Sequence, residues 1–164
     1  MPIKPKILPS RDIIQSTHDQ NNLEYHVSSV DLFLNLLLTS DNARAEIYDV
    51  INKKYSISEG KFILLMSLYG ECELTTHELA MRMAVTSATV SVMVKRMLDD
   101  PNPLISVSIN EKDTRSRLIK LSPRAYQILE EIIPLHIKNI NSYIEPLNLE
   151  ERELLLSLLK KLNK

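Results

Sequence analysis

The sequence TTHELAMRMAVTSATVSVMVKRMLDD, residues 75–100, carries the strongest structural signals in the chain. Thr75 and Glu78 have the spacing of a capping box, in which a hydroxyl and a carboxylate each accept from an unpaired amide at the start of a helix. Thr86 predicts the cap of a second helix, because its hydroxyl can accept from an amide of the first turn. Two short helices joined by a tight turn are typical of a helix-turn-helix.

The second helix of this pair has two different faces. Its apolar residues are spaced i, i+4, i+7 and i+8, which predicts a buried face made of Val90, Val94, Met97 and Leu98. The other face carries mostly short side chains that allow close approach to another surface, namely Ser87, Ala88, Ser91, Val92 and Lys95.

A β-hairpin follows the second helix and makes the motif a winged helix. The prolines within residues 99–103 end the helix, because proline lacks an amide donor. Residues 105–109 then alternate between apolar and serine positions, and residues 117–121 return as a second strand. Basic residues are placed at the tip and on the return strand, at Lys112, Arg115, Arg117 and Lys120.

The segments before this motif also read as helical. Residues 1–20 contain three prolines and predict an irregular arm, or a helix that begins only at Ser10. Residues 23–54 form one broad apolar helix, in which Ser40 and Asp41 suggest a kink or a restart. Ser58 predicts the cap of a helix that buries Phe62, Leu65, Met66 and Tyr69 and stops at Gly70.

Two further helices follow the hairpin. Ser122 and Pro123 predict the start of the first, which carries Ala125, Leu129, Ile132, Ile133, Ile137 and Ile140 and is kinked at Pro134. Asn148 and Glu151 form a second capping-box pair before a leucine-rich helix. The apolar surface of this last helix and of the broad helix at residues 23–54 is larger than a small winged-helix core can cover. We therefore expect these helices to pack across a two-fold dimer.

Composition sets the broad class of the protein. A length of 164 residues fits one domain. The presence of only two glycines argues against glycine-rich phosphate loops and favours helices. The net charge of −1 gives little general attraction to nucleic acid, so DNA binding depends on the local charge of the second helix and the wing. A single cysteine, Cys72, excludes an intramolecular disulfide, and the sequence shows no signal pattern or apolar run long enough to span a membrane. We therefore expect a cytoplasmic protein.

These residues resemble the MarR-type (multiple antibiotic resistance regulator) transcription factors. The resemblance covers roughly residues 30–163. It rests on the stretch at 55–65, the helix at 79–80, the segment VTSATV at 85–90, and the wing with Asp113, Arg115 and the Leu121-Ser122 end of its strand. It implies a mainly α fold with a small β-hairpin wing, in which residues 57–122 form the DNA-binding part. It also implies a homodimer formed by the helices at 23–54 and 123–163.

The resemblance assigns roles to individual residues. It implies that Arg115 enters the minor groove and that Asp113 stabilises the wing, with Lys112 and Arg117 as further wing contacts. The second helix would lie in the major groove through Ser87, Ala88, Thr89, Ser91, Val92 and Lys95. Val92 departs from the basic or polar residue common in the family, and the glycine expected after this helix is replaced by residues 99–103.

A small aromatic or anionic effector is implied by the resemblance alone. The cleft between the dimer helices and the DNA-binding part would be lined by Tyr48, Tyr55, Phe62, Met66 and Tyr69. The same residues, at helical spacing, also fit an ordinary core.

Other classes of site find little support. The four histidines are scattered, so we expect no zinc site and no cofactor, and Cys72 does not match the position of redox-sensing cysteines in the resembled family. No nucleophile turn or phosphate loop indicates an enzyme. The sequence favours a dimeric regulator, most simply a repressor, that binds a pseudo-palindromic operator. The alternative is a winged-helix protein-interaction module without specific DNA binding.

Overall fold

The computed structural model describes residues 7–21, 26–111, 113 and 116–163, except for the side chains of residues 18, 20 and 21. Helices dominate this part of the chain, and one small antiparallel sheet accompanies them. In chain order the elements are α1 (Arg11–Asn21), α2 (Val27–Tyr55), α3 (Glu59–Glu71), β1 (Glu73–Thr75), α4 (Thr76–Met83), α5 (Ser87–Leu98), β2 (Ile105–Ile109), β3 (Arg117–Leu121), α6 (Pro123–Ile144) and α7 (Leu149–Leu162).

The chain divides into two compact units, Met1–Glu46 and Ile47–Lys164, with the boundary inside α2. In the first unit, the prediction of an irregular arm is wrong for the described residues, and the alternative, a helix from Ser10, is confirmed. The Ser10 hydroxyl accepts from the amide of Ile13 at 3.4 Å, which caps α1 after the last of the N-terminal prolines. Exposed apolar side chains remain on α2 at Leu32, Phe33 and Leu37.

The second unit contains the main core. α3, α4, α5, the sheet and the first half of α6 each contribute side chains that are at most 8 % exposed. The largest fully buried ones are Ile51, Leu64, Leu65, Leu68, Leu79, Ile105, Ile119, Leu129 and Ile132. Because these residues come from helices on both sides of the hairpin, they fix the helix-turn-helix and the wing in one body.

The sheet has one strand more than the predicted hairpin. β3 lies between β2 and the short strand β1, and both neighbours run antiparallel to it. Val107 pairs with Ile119 on one side, and Leu74 pairs with Ile119 on the other. β1 was not predicted, because three residues are too few to show an alternating pattern.

The helix boundaries follow the predicted caps. Ser58, Thr75, Thr86, Ser122 and Asn148 each accept a hydrogen bond from an amide of the first turn that follows them. Gly70 as the stop of α3 is wrong, because the helix continues to Glu71. Cys72 instead takes a positive φ of 64°, and its N–H donates to the carbonyl of Leu68.

Several residues predicted to be buried are exposed. Leu98 lies about 80° around the helix from Val90 at 100° per residue, at the edge of the buried face, and is 39 % exposed. Tyr69 is also exposed, because the core side of α3 is centred on Leu64, Leu65 and Leu68. Beyond the core, Ile137 and Ile140 of α6 are exposed as well.

Candidate nucleic-acid interface

The turn between α4 and α5 is fixed by backbone and side-chain hydrogen bonds. Ala84 adopts a left-handed conformation, with φ of 53°, and the N–H of Val85 donates to the carbonyl of Ala80 at 3.1 Å. The Thr86 hydroxyl then accepts from the amide of Thr89 at 3.2 Å and starts α5. The predicted helix-turn-helix is therefore present, and α5 is its second helix.

α4 is held at both ends. Glu78 completes the predicted capping box by accepting from the amide and the hydroxyl of Thr75, each at 2.7 Å. These hydrogen bonds, the backbone one first, lower the pKa of the Glu78 carboxyl below its ordinary value. Arg82 forms an ion pair with Glu71 at 2.8 Å, which connects the end of α4 to the end of α3. α5 is thus carried by a scaffold with fixed geometry.

The outer face of α5 is exposed and carries the predicted DNA-binding residues. Val90, Val94 and Met97 face the core, as predicted. The side chains on the opposite side are all solvent-exposed, namely Ser87, Ala88, Thr89, Ser91, Val92 and Lys95. Arg96, which was not among the predicted contacts, is exposed beside them.

The wing turn is shaped by residues on both sides of its tip. The N–H of Asp113 donates to the carbonyl of Asn110 at 3.2 Å, and the N–H of Ser116 donates to the carbonyl of Asp113 at 2.9 Å. The Asn110 side-chain amide also donates to the Ser116 hydroxyl at 2.8 Å. The described turn is therefore ordered through the main chain of Asp113. Lys112 and Arg115 lie outside the described residues.

Two basic residues of β3 have different environments. Arg117 is exposed and makes no ion pair with Glu111 or any other described residue. Lys120 pairs with Glu73 of β1 at 2.6 Å, and this contact raises the pKa of its ammonium above the ordinary value. The positive charge of Arg117 is therefore available to a ligand, whereas that of Lys120 is largely compensated within the sheet.

Arg117 and the outer face of α5 meet at one cleft. The cleft has a volume of about 340 Å³ and is bordered by Ser91 and Lys95 of α5 on one side and by Val107 and Arg117 of the sheet on the other. Leu98 also lines it, which explains why this leucine is only partly covered. The fold thus brings Lys95 of the helix and Arg117 of the wing to the same surface, which the acidic residue Asp99 also borders.

The five residues predicted for an effector cleft fall into separate groups. The Tyr48 and Phe62 rings pack with His136, with centroid distances of 5.9 Å to each other and of 5.5 and 4.6 Å to the imidazole. Tyr69 instead lies against Tyr126. The remaining two, Tyr55 and Met66, pack at the edge of the core, and the Tyr55 hydroxyl donates to Glu131 at 3.0 Å.

His136 was not recognised in the sequence as part of any site. Burial lowers the pKa of its imidazole, and its Nδ1 is buried without a hydrogen-bond partner in the described structure. A single histidine on a helix of both apolar and polar residues produces no periodic pattern. The sequence therefore did not indicate its aromatic neighbours, which are seen only in the structure. We call Tyr48, Phe62 and His136 the aromatic cluster.

The described residues form neither a metal site nor a membrane-spanning helix. No group of three or more metal-ligating side chains is assembled there. None of the helices formed by those residues combines the length and the apolar character that crossing a membrane requires.

Comparison with known proteins agrees with this geometry. The MarR family model matches residues 57–116, which contain α3, the helix-turn-helix and the first half of the wing. An uncharacterised HTH-type transcriptional regulator of Bacillus subtilis, YwaE, is 22 % identical over 136 residues, or 83 % of this chain and 78 % of that protein.

Solved structures share the fold at low sequence identity. Sco3205 of Streptomyces coelicolor, a MarR family transcriptional regulator solved in complex with DNA, has a TM-score of 0.78, with 14 % identity over 86 % of this chain and 89 % of that one. BpsR of Bordetella bronchiseptica, whose DNA binding is regulated by 6-hydroxynicotinic acid, has a TM-score of 0.70, with 22 % identity over 82 % of this chain and 99 % of that one. The match to the winged-helix segment and these likenesses show that this chain shares the fold of MarR-type winged-helix regulators.

Proposed function

We propose that this protein is a DNA-binding transcriptional regulator that acts as a homodimer and represses by occupying a pseudo-palindromic operator in the cytoplasm. α5 enters the major groove, and the wing contacts the adjacent minor groove. The observation that carries the proposal is the cleft where Lys95 of α5 and Arg117 of the wing border one surface. Cations placed on both sides of a groove contact neutralise phosphates and set the register of the protein on the duplex.

Arg115 and Lys112 extend the proposed contact to the tip of the wing. An arginine inserted into a narrow minor groove is favoured where A·T-rich sequence strengthens the negative potential. The main-chain hydrogen bonds of Asp113 support a fixed wing turn, which is the role proposed for this residue. Lys120, paired with Glu73, contributes little to the contact.

Fluorescence anisotropy with a duplex from the region upstream of the protein's own gene tests this proposal. We expect tight binding that weakens steeply between low and moderate salt, because neutralised phosphates release counterions. Arg117→Ala and Arg115→Ala each remove two cations per dimer. Each is expected to reduce the magnitude of the slope of log binding constant against log salt concentration by about two. Arg152→Ala, which removes an exposed arginine from α7, is the matched control and should leave the slope unchanged.

Binding no tighter than to a random duplex would contradict the regulator proposal. The second candidate, a protein-interaction module, is favoured by the net charge of −1 and by Val92, which is 50 % exposed on the outer face of α5. Its binding would depend on apolar contact and would change little with salt. The salt dependence therefore separates the two functions.

We also propose that a small aromatic or anionic effector releases the protein from DNA by binding beside the aromatic cluster. The support is the tilted packing of Phe62 and Tyr48 against His136, which provides ring faces and a nitrogen in one place. Addition of hydroxybenzoate or nicotinate to the anisotropy assay, with Phe62→Leu as the variant, tests this step. Release of the wild type at concentrations that leave Phe62→Leu bound to DNA supports it, and equal behaviour of both proteins contradicts it.

A further inference from the structure

The point of α5 farthest from the core is apolar. At about 100° per residue, the direction opposite to the buried Val90, Val94 and Met97 falls between Ala88 and Val92. Both residues are exposed, and Val92 exposes half of its surface. The most protruding part of the helix therefore presents methyl groups, with Lys95 to one side.

The Ser91 hydroxyl, and one of the Thr86 and Thr89 hydroxyls, use their protons for hydrogen bonds at this helix. The Ser91 hydroxyl donates to the carbonyl of Ser87 at 2.9 Å, and the Thr86 and Thr89 hydroxyls share a hydrogen bond at 2.9 Å. A hydroxyl whose proton is already used cannot donate to guanine O6 or N7, the acceptors that mark a G·C pair in the major groove. Hydrogen-bond readout of guanine by Ser91 is therefore disfavoured.

The exposed half of Val92 gains nothing in the free protein. Valine is also a weaker helix former than alanine, and Val92 lies outside the core. A methyl-bearing surface gains most from a partner that also carries a methyl group. In the major groove, thymine is the unmodified base that presents one, at its C5 position.

We propose that Ala88 and Val92 read the 5-methyl groups of thymine, so that this helix distinguishes thymine from cytosine and uracil by apolar contact. The inference rests on the proposed function, because it requires α5 to lie in the major groove. It assigns sequence discrimination to these two residues and leaves positioning on phosphates to Lys95 and Arg117. Cytosine methylated at C5 presents the same group and is expected to substitute for thymine at the contacted position.

The size of the effect follows from the burial of one methyl group. A buried methylene or methyl contributes a transfer free energy that corresponds to about a fourfold change in affinity. A two-fold dimer makes the same contact in each half-site. Loss of the methyl in one half-site is therefore expected to weaken binding about fourfold, and loss in both about fifteenfold.

The test begins with duplexes selected from a randomised library by the full-length protein. In the selected duplex, each thymine is replaced in turn by deoxyuridine, which removes only the methyl group, and affinity is measured by anisotropy. The wild type is expected to show one or two sensitive positions per half-site. Val92→Ala is expected to bind the thymine and uracil duplexes equally at the position that Val92 contacts.

Val50→Ala is the matched control, since Val50 is an exposed helical valine outside the helix-turn-helix. It should retain the full sensitivity to uracil. The inference is overturned if the wild type binds uracil and thymine duplexes equally. It is also overturned if Val92→Ala still loses the full affinity when thymine is replaced by uracil, because the methyl effect would then arise from DNA shape. Failure to select any duplex with salt-sensitive affinity is a different result, which overturns the proposed function and the inference together.

Discussion

The leucines of the winged-helix core and those of α7 are the same residue type in opposite surroundings. Leu64, Leu65 and Leu68 of α3 are fully buried. In α7 every apolar side chain is exposed or half-buried, and no residue is buried. We call the six leucines of α7 that follow its first turn, Leu154, Leu155, Leu156, Leu158, Leu159 and Leu162, the leucine face.

α3 and α7 are stabilised in different ways. α7 has strong local signals, since Asn148 and Glu151 form a complete capping box and its last turn carries Lys160 and Lys161. A 14-residue helix is nevertheless marginal in water, and most helical stability in proteins comes from tertiary packing. The exposed leucine face therefore supports the proposed dimer, in which a second copy of the chain supplies the missing contact.

The largest expected effect comes from charging the leucine face. Leu158→Glu places a carboxylate where an apolar contact is proposed, and the two-fold axis doubles the change. From the burial of one leucine per chain, the dimer should lose about 3–6 kcal/mol, which raises its dissociation constant on the order of 10²- to 10⁴-fold. Sedimentation velocity over a range of protein concentrations measures this change.

Ser157→Glu is the control for that experiment. It introduces the same charge on the polar side of α7, next to the leucine face, and should leave association unchanged. A dimer that survives Leu158→Glu with wild-type affinity would remove α7 from the interface and leave the exposed leucines without an explanation.

A core leucine should behave differently. Leu65→Ala creates a cavity in a fully buried site and is expected to lower the free energy of unfolding by about 2–5 kcal/mol. Urea denaturation at two protein concentrations distinguishes the two regions. The loss from Leu65→Ala should be the same at both, whereas the loss from Leu154→Ala on the leucine face should depend on concentration through the dimer equilibrium. Concentration dependence for both variants would mean that core and interface are one folding unit.

The caps provide a smaller and more local comparison. Thr86→Ala removes the cap of α5, which also has three buried residues, and Asn148→Ala removes the cap of α7, which has none. Each cap is expected to contribute about 0.5–2 kcal/mol. We expect each variant to increase hydrogen exchange at the first turn of its own helix. The increase should be larger for Asn148→Ala than for Thr86→Ala, because α7 has less packing to hold it than α5. Equal increases would argue that α7 is as well packed as α5.

Local signals in the sequence located the helix starts, and periodicity located most of the core. Caps at Thr75, Thr86 and Ser122 were predictable because a hydroxyl and a nearby amide need only a few residues to define them. The strands of the wing were predictable from their alternation, and the resemblance supplied the topology. The exposed outer face of α5 followed from the same period that placed its buried residues.

Other features depend on contacts distant in sequence. The third strand, β1, exists because Glu73 and Leu74 meet β3 more than forty residues later. α3 ends at Glu71 rather than at Gly70, and its cap is the N–H of Cys72, which donates to the carbonyl of Leu68. The aromatic cluster joins residues from three helices, and no local pattern in any of them indicates the others.

His136 lies where α6 leaves the winged-helix core, because Ile132 before it is buried and Ile137 after it is exposed. Burial lowers the pKa of its imidazole, so the folded state favours the neutral ring. In the unfolded chain the ring takes up a proton as the pH falls below its ordinary pKa of about 6.5, and stability is lost through this window. His136→Phe, which keeps a ring against Phe62, should flatten the decrease in urea midpoint between pH 7 and pH 5.5. His77→Gln, at an exposed histidine of α4, should follow the wild type, and a His136→Phe curve parallel to both would show that this imidazole is protonated equally in the folded and unfolded states.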